Sequence, residues 1–77
     1  MKIKFIEESN QDNILMETEK GELISALFAP YTQISLTVHD KIFICTHEYN
    51  IAKIKENELD IFVRIIDIYS ENERKFI

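Results

Sequence analysis

The stretch HDKIFICTHE, residues 39–48, gathers the side chains best able to do chemistry: His39, Asp40, Cys45, His47 and Glu48. A metal centre needs three or four such ligands converging on one point. Cys45 and His47 lie two residues apart, so on a strand they share a face and supply half a site. His39 and Asp40 read as a hairpin turn between residues 32–38 and 41–46. His39 then stands at one end of the returning strand and His47 near the other, more than about 20 Å away at roughly 3.3 Å per residue. One chain cannot bring all three together. A metal- or thiol-dependent site would have to be completed across a dimer interface.

A cysteine nucleophile needs a base in contact and a group that orients the base. Glu48 points away from the face that carries Cys45 and His47, and no glycine-rich turn offers an oxyanion hole. Cys45 is therefore expected to be a buried structural thiol. The pairs Glu7-Glu8, Glu17 with Glu19, Glu56 with Glu58, and Glu71 with Glu73 lack the spacing and the glycine of a calcium loop. Gly21 is the only glycine, which excludes a phosphate-cradling loop. These residues support no catalytic, cofactor or metal assignment, and the chain is expected not to be an enzyme.

Any such residues must be held by a small scaffold. The 77 residues give room for one domain, 1–77. Hydrophobic residues at 45% and charged residues at 30% describe an ordinary globular balance rather than a disordered chain. Fourteen acidic against nine basic residues leave a net charge of −5, with the basic ones scattered. That argues against direct nucleic-acid binding and against an anionic membrane surface, both of which need a basic face. A lone cysteine precludes an intrachain disulfide and favours a reducing compartment. Glu7 and Glu8 break the N-terminal apolar run, and no stretch of about 18 apolar residues occurs. The expected location is the cytoplasm.

Alternation predicts a strand over 2–7, with Ile3 and Phe5 on one side. SNQDN, residues 9–13, reads as a turn, and 14–19 as a second strand. Lys20-Gly21 reads as a tight turn using the positive φ open to glycine. Residues 22–29 fit a third strand or, as the rival reading, a short helix ended by Pro30. Residues 32–38 alternate cleanly, 41–46 return as a strand apolar on both faces, and 50–55 suggest a further short strand. Phe5, Phe28, Phe43 and Phe62 read as core.

The last segment carries a helical signature. Asn57, Asp60, Arg64, Asp67, Glu71 and Arg74 recur at steps of three and four, and Leu59, Phe62, Val63, Ile66 and Tyr69 fall opposite. A helix over 57–74 with Asn57 as N-cap is the expectation. The many β-branched residues, Ile61, Val63, Ile65, Ile66 and Ile68, leave a C-terminal hairpin as the alternative, with residues 61–69 turning at Ser70-Glu71-Asn72-Glu73 into 74–77. The predicted fold class is α+β: a meander-like antiparallel sheet of four to six strands packed against one C-terminal helix.

The functional expectation is a small acidic protein-protein interaction module acting as a regulator, inhibitor or accessory subunit, of the kind phages and other mobile elements carry. Its partner would be another protein or a second copy in a homodimer, because the apolar content is generous for so small a core. Contact candidates are Tyr31 and Tyr49 beside loops, and the polar stripe Asp60, Arg64, Asp67 and Glu71. One alternative is an inhibitor whose carboxylates mimic nucleic-acid phosphates and fill the basic groove of a DNA- or RNA-processing protein. The dimer-completed metal or thiol site is the other.

Overall fold

The computed structural model describes residues 1–70. Five strands make one mixed sheet: β1 (Lys2–Glu7), β2 (Ile14–Thr18), β3 (Gln33–Val38), β4 (Lys41–Lys53) and β5 (Glu58–Ser70). Their order across the sheet is β2-β1-β5-β4-β3. β3, β4 and β5 form an antiparallel meander, and β1 lies parallel to β5. The expectation of a wholly antiparallel sheet is corrected at that one pairing. Edge strands β2 and β3 approach each other without pairing, so the sheet curls towards a barrel with an open seam. A 3₁₀ helix, Ile24–Phe28, lies in the connection between them.

Among the described residues the helix predicted over 57–74 is absent: 71–74 lie outside the described residues, and residues 58–70 are β5, a single 13-residue strand. Its pairing with β4 explains the misleading spacing. Arg64 pairs with Thr46, Cys45 with Ile65, and Ile44 with Asp67, so Ile66 is an extra residue that bulges from β5. Asp60 and Arg64 differ by an even number and share a face. The bulge then returns Asp67, three residues on, to that same face. A step of four followed by a step of three thus comes from a strand with one bulge as readily as from a helix. The β-branched run decides the matter, since it suits a pleated surface with partners on both sides. Asn57, the expected N-cap, instead ends the β4–β5 turn at φ 54. Its N–H donates to the Ile54 carbonyl, and its own carbonyl accepts from the Lys2 N–H.

β4 joins the two short segments expected at 41–46 and 50–55 into one strand. A second bulge makes this possible: His47 pairs with Val63 and Tyr49 with Phe62, leaving Glu48 as the extra residue. The segment after Gly21 takes the helical alternative, although as a 3₁₀ turn in which Ile24 and Leu27 are half-buried and no residue is fully buried. Gly21 does not adopt a positive φ, so the expected tight hairpin is absent there. The His39-Asp40 turn is present, with His39 at φ 58.

The inner face of the curl holds the main core: Ile3, Phe5, Leu15, Ile34, Leu36, Cys45, Ile61 and Val63. Ile24 and Leu27 of the 3₁₀ helix pack against it from the seam. The register places a different set on the outer face. Lys4, Ile6, Glu58, Asp60, Phe62, Arg64 and Asp67 face outward beside Ile44, Thr46, Tyr49, Ile51 and Lys53. No helix among the described residues is long and apolar enough to cross a membrane.

Candidate interaction surface

The reactive side chains singled out in residues 39–48 are distributed along β4. His39 occupies the turn before it. Cys45 is 0% exposed in the inner core. Burial pushes its thiol up to about 11, with the nearby Glu7 charge adding to the effect, so it stays protonated and unreactive near neutrality. His47 shares the inner face but lies farther along; its Nε2 is 3.0 Å from Asn50 Oδ1 and its ring meets Phe28 edge-on. Among the described residues no three His, Cys, Asp or Glu side chains gather as a metal centre.

The contact candidates also separate. Asp60 is 3% exposed and belongs to an ion network on the outer face. Its Oδ2 lies 3.0 Å from Lys53 Nζ, and Glu58 pairs with both Lys4 and Lys53 at 3.5 Å. Burial works to raise the Asp60 pKa. Hydrogen bonding with Glu58 and Lys53, together with the Lys53 and Lys4 charges, outweighs it and holds the carboxyl below its ordinary value. Asp60 Oδ1 and Thr46 Oγ1 are buried with no hydrogen-bond partner among the described residues. Arg64 is exposed and pairs with Glu48 at 3.1 Å across the β4 bulge. Asp67 is exposed and accepts the Ile68 N–H. Glu71 lies outside the described residues. Tyr49 stacks on Phe62 at 4.6 Å, and its hydroxyl accepts from Gln11. It closes the edge of a small outer core around Ile6 and Phe62.

Tyr31 is different: it is fully exposed. The turn Ala29-Pro30-Tyr31-Thr32 puts proline second and a positive φ of 64 third, with the Thr32 N–H donating to the Ala29 carbonyl. This is the layout of a type II turn, whose third position favours glycine. A bulky aromatic there is strained, by about 1–3 kcal/mol for a residue held in so sparsely populated a conformation. Two more apolar side chains protrude from the same connection, Leu23 at 80% and Phe28 at 67% exposure. Phe28 therefore leaves the predicted core. The sequence signal for this surface was Pro30, which ends the preceding element and places Tyr31 in a turn.

Beneath the connection lies a half-open cavity of about 430 Å³. Phe5, Met16, Ile24, Leu27, Ile34 and Leu36 line its apolar interior, and Thr18, Lys20, Glu22 and Gln33 are among its polar lining. The charge around it is uneven. Residues 7–22 hold six carboxylates and one lysine, a net −5 that equals the charge of the whole chain. Glu8, Asp12, Glu17, Glu19 and Glu22 are exposed along β2 and its two connections. Comparisons with known protein families, with curated proteins and with solved structures return no match.

Proposed function

We propose that this chain is a non-enzymatic protein-binding domain, a regulator or accessory subunit that docks through the connection Leu23–Tyr31 at its open seam. The carrying observation is Tyr31: an aromatic side chain, wholly in water, at a strained turn position where glycine would cost less. Tyrosine is well suited to contact, since it brings large area with few rotatable bonds. Leu23 and Phe28 extend the same apolar display, which in a monomer this small is a sizeable unsatisfied surface. The buried free Cys45 fits a reducing cytoplasm.

The test separates binding from folding. Tyr31→Gly is expected to keep or raise stability, by up to about 1 kcal/mol, because it relieves the positive φ. The same variant should lose most of any stoichiometric partner that the wild-type chain retains in parallel pull-downs. Equal recovery of that partner by both proteins would remove Tyr31 from the contact and with it this reading.

A further inference from the structure

Independently of that site, we infer that the chain pairs with a second copy of itself through the open edge of β4. The two Tyr49–Lys53 segments lie antiparallel about a twofold axis at Ile51. β3 pairs with β4 only from Lys41 to Thr46, so beyond the Glu48 bulge β4 has β5 alone beside it. Every residue from Glu48 to Asn57 is exposed. The β1 side of β5 fixes which backbone groups are open. The Lys2 N–H donates to the Asn57 carbonyl and the Glu8 N–H to the Val63 carbonyl, so odd-numbered residues of β5 turn their backbone groups to β1. The even-numbered Glu58, Asp60 and Phe62 then bond to Lys53, Ile51 and Tyr49, their partners across the ladder. That leaves the N–H and C=O groups of Asn50 and Ala52 pointing away from the sheet, where no hydrogen bond among the described residues reaches them.

A second copy completes this edge in one register. Opposite residues of an antiparallel pair point to the same face, so the axis passes through a residue and not between two. With Ile51 on the axis, Asn50 of each copy stands opposite Ala52 of the other, and their open groups make four hydrogen bonds. An axis at Asn50 sets Ala52 against the Glu48 bulge, and one at Ala52 sets Asn50 against the turn residue Ile54. The side chains favour the same register. On the outer face Ile51 meets its own copy in a non-hydrogen-bonded pair, where side chains stand closest, and Tyr49 meets Lys53, an aromatic ring beside a cation. No like charges stand opposite each other. Tyr49 and Ile51 are 41% and 46% exposed in the single chain, so both gain cover. Residues 47–55 hold Glu48, Lys53 and Lys55, a net +1 where the whole chain carries −5, so two copies meet at a stretch free of excess negative charge. The other open stretch of this hairpin, β5 beyond Val63, is less available: Asp67 Oδ1 already takes the Ile68 N–H. Five residues a side make a small interface, so the dimer is weak and concentration-dependent.

Covalent capture and amide exchange test the register. In a non-hydrogen-bonded antiparallel pair the Cα atoms stand about 4.5 Å apart, within disulfide reach. Under mild oxidation Ile51→Cys is expected to form a disulfide-linked dimer about tenfold or more faster than Lys55→Cys, whose two copies lie at opposite ends of the pairing. The buried native Cys45 stays out of the reaction. Adding Ala52→Pro to Ile51→Cys removes an outward N–H without touching the β4–β5 ladder, and should slow the cross-link about tenfold. In the unaltered chain, raising the concentration from micromolar to millimolar should slow amide exchange at Asn50 and Ala52. Tyr49, Ile51 and Lys53, already bonded to β5, should not change. Equal cross-linking of Ile51→Cys and Lys55→Cys, a rate unmoved by Ala52→Pro, or exchange at Asn50 and Ala52 that ignores concentration would overturn the inference and leave this edge to a strand of another protein. None of these results bears on the Tyr31 reading, which the Tyr31→Gly pull-down decides.

Discussion

The two faces of the sheet solve burial differently. The inner face is continuous apolar packing, with Ile3, Ile61, Val63 and Cys45 almost wholly removed from water. The outer face runs in rows across the strands. One row is the Lys4, Lys53, Glu58 and Asp60 network, the next is the Tyr49–Phe62 stack, and the next is the Arg64–Glu48 pair. The inner face rests on an interaction that pH and salt scarcely touch. Two of the three outer rows rest on charges, which are sensitive to both. Stability should therefore come mainly from the inner face, and its dependence on solution conditions mainly from the outer one.

The largest effect expected is on the inner side. Ile61→Ala empties a site with 0% exposure. It should cost about 2–5 kcal/mol, the usual range for a buried isoleucine truncation. A domain of this length has only about 5–15 kcal/mol to lose. Urea unfolding should show a much lower midpoint, and the loss should be the same at pH 7 and pH 3. A loss that shrinks in acid would mean that the two faces are not separable.

Much of this division was legible in the sequence, because alternation fixes the face of a strand residue once the strand is recognised. Ile3 and Phe5 in β1, and Ile34 and Leu36 in β3, lie on the face that alternation assigned them. The buried, inert state of Cys45 followed from its place in an apolar strand. Alternation failed where the strands bulge. Glu48 and Ile66 each insert one residue, and each shifts all later residues by one. Asp60, Arg64 and Asp67 then recur like a helical stripe, although their common face belongs to a sheet. Bulges depend on pairing between distant segments, and a local window of sequence carries no record of that pairing. Phe28 was misplaced for a related reason: the 3₁₀ helix sits over the seam rather than inside it. Tyr31 stood among the contact candidates for its place beside a loop, but the positive φ that singles it out emerges only with the turn.

The intermediate effect belongs to Asp60. Its folded pKa lies below the ordinary value, so the carboxylate contributes stability above the unfolded-state pKa of about 4, and the contribution disappears as pH falls through the lower folded value. Asp60→Ala should cost about 1–3 kcal/mol at pH 7, the range for losing a hydrogen-bonded charged group. The lower end is favoured because the exposed Lys53 ammonium can turn to water. The gap between variant and wild type should close as pH drops below about 4. Lys53 behaves in the opposite sense. Its hydrogen bond to Asp60 and the Asp60 charge raise its pKa, so its contribution is complete below the ordinary lysine value and lost only as pH climbs through the raised one. A gap that stays constant from pH 7 to pH 3 would show that Asp60 acts by shape and not by charge.

The smallest effect lies at the far end of the outer face. Arg64 Nε and Glu48 Oε1 are 3.1 Å apart, but their side chains are 66% and 36% exposed. Water screens such a pair, and holding two long side chains in register costs entropy, so the coupling should be at most about 0.5 kcal/mol. A double-mutant cycle with Glu48→Gln and Arg64→Gln isolates it. Glu48 is the residue that bulges from β4, so its side chain is free of the ladder and is placed only by the pair itself. If the pair locks the bulge, the cycle should exceed about 1 kcal/mol and fall steeply with added salt, and the outer face would then hold structure as well as tune it. A coupling near zero, insensitive to salt, fits a bulge set by the inner pairing of His47 with Val63, with the ion pair following the backbone rather than directing it.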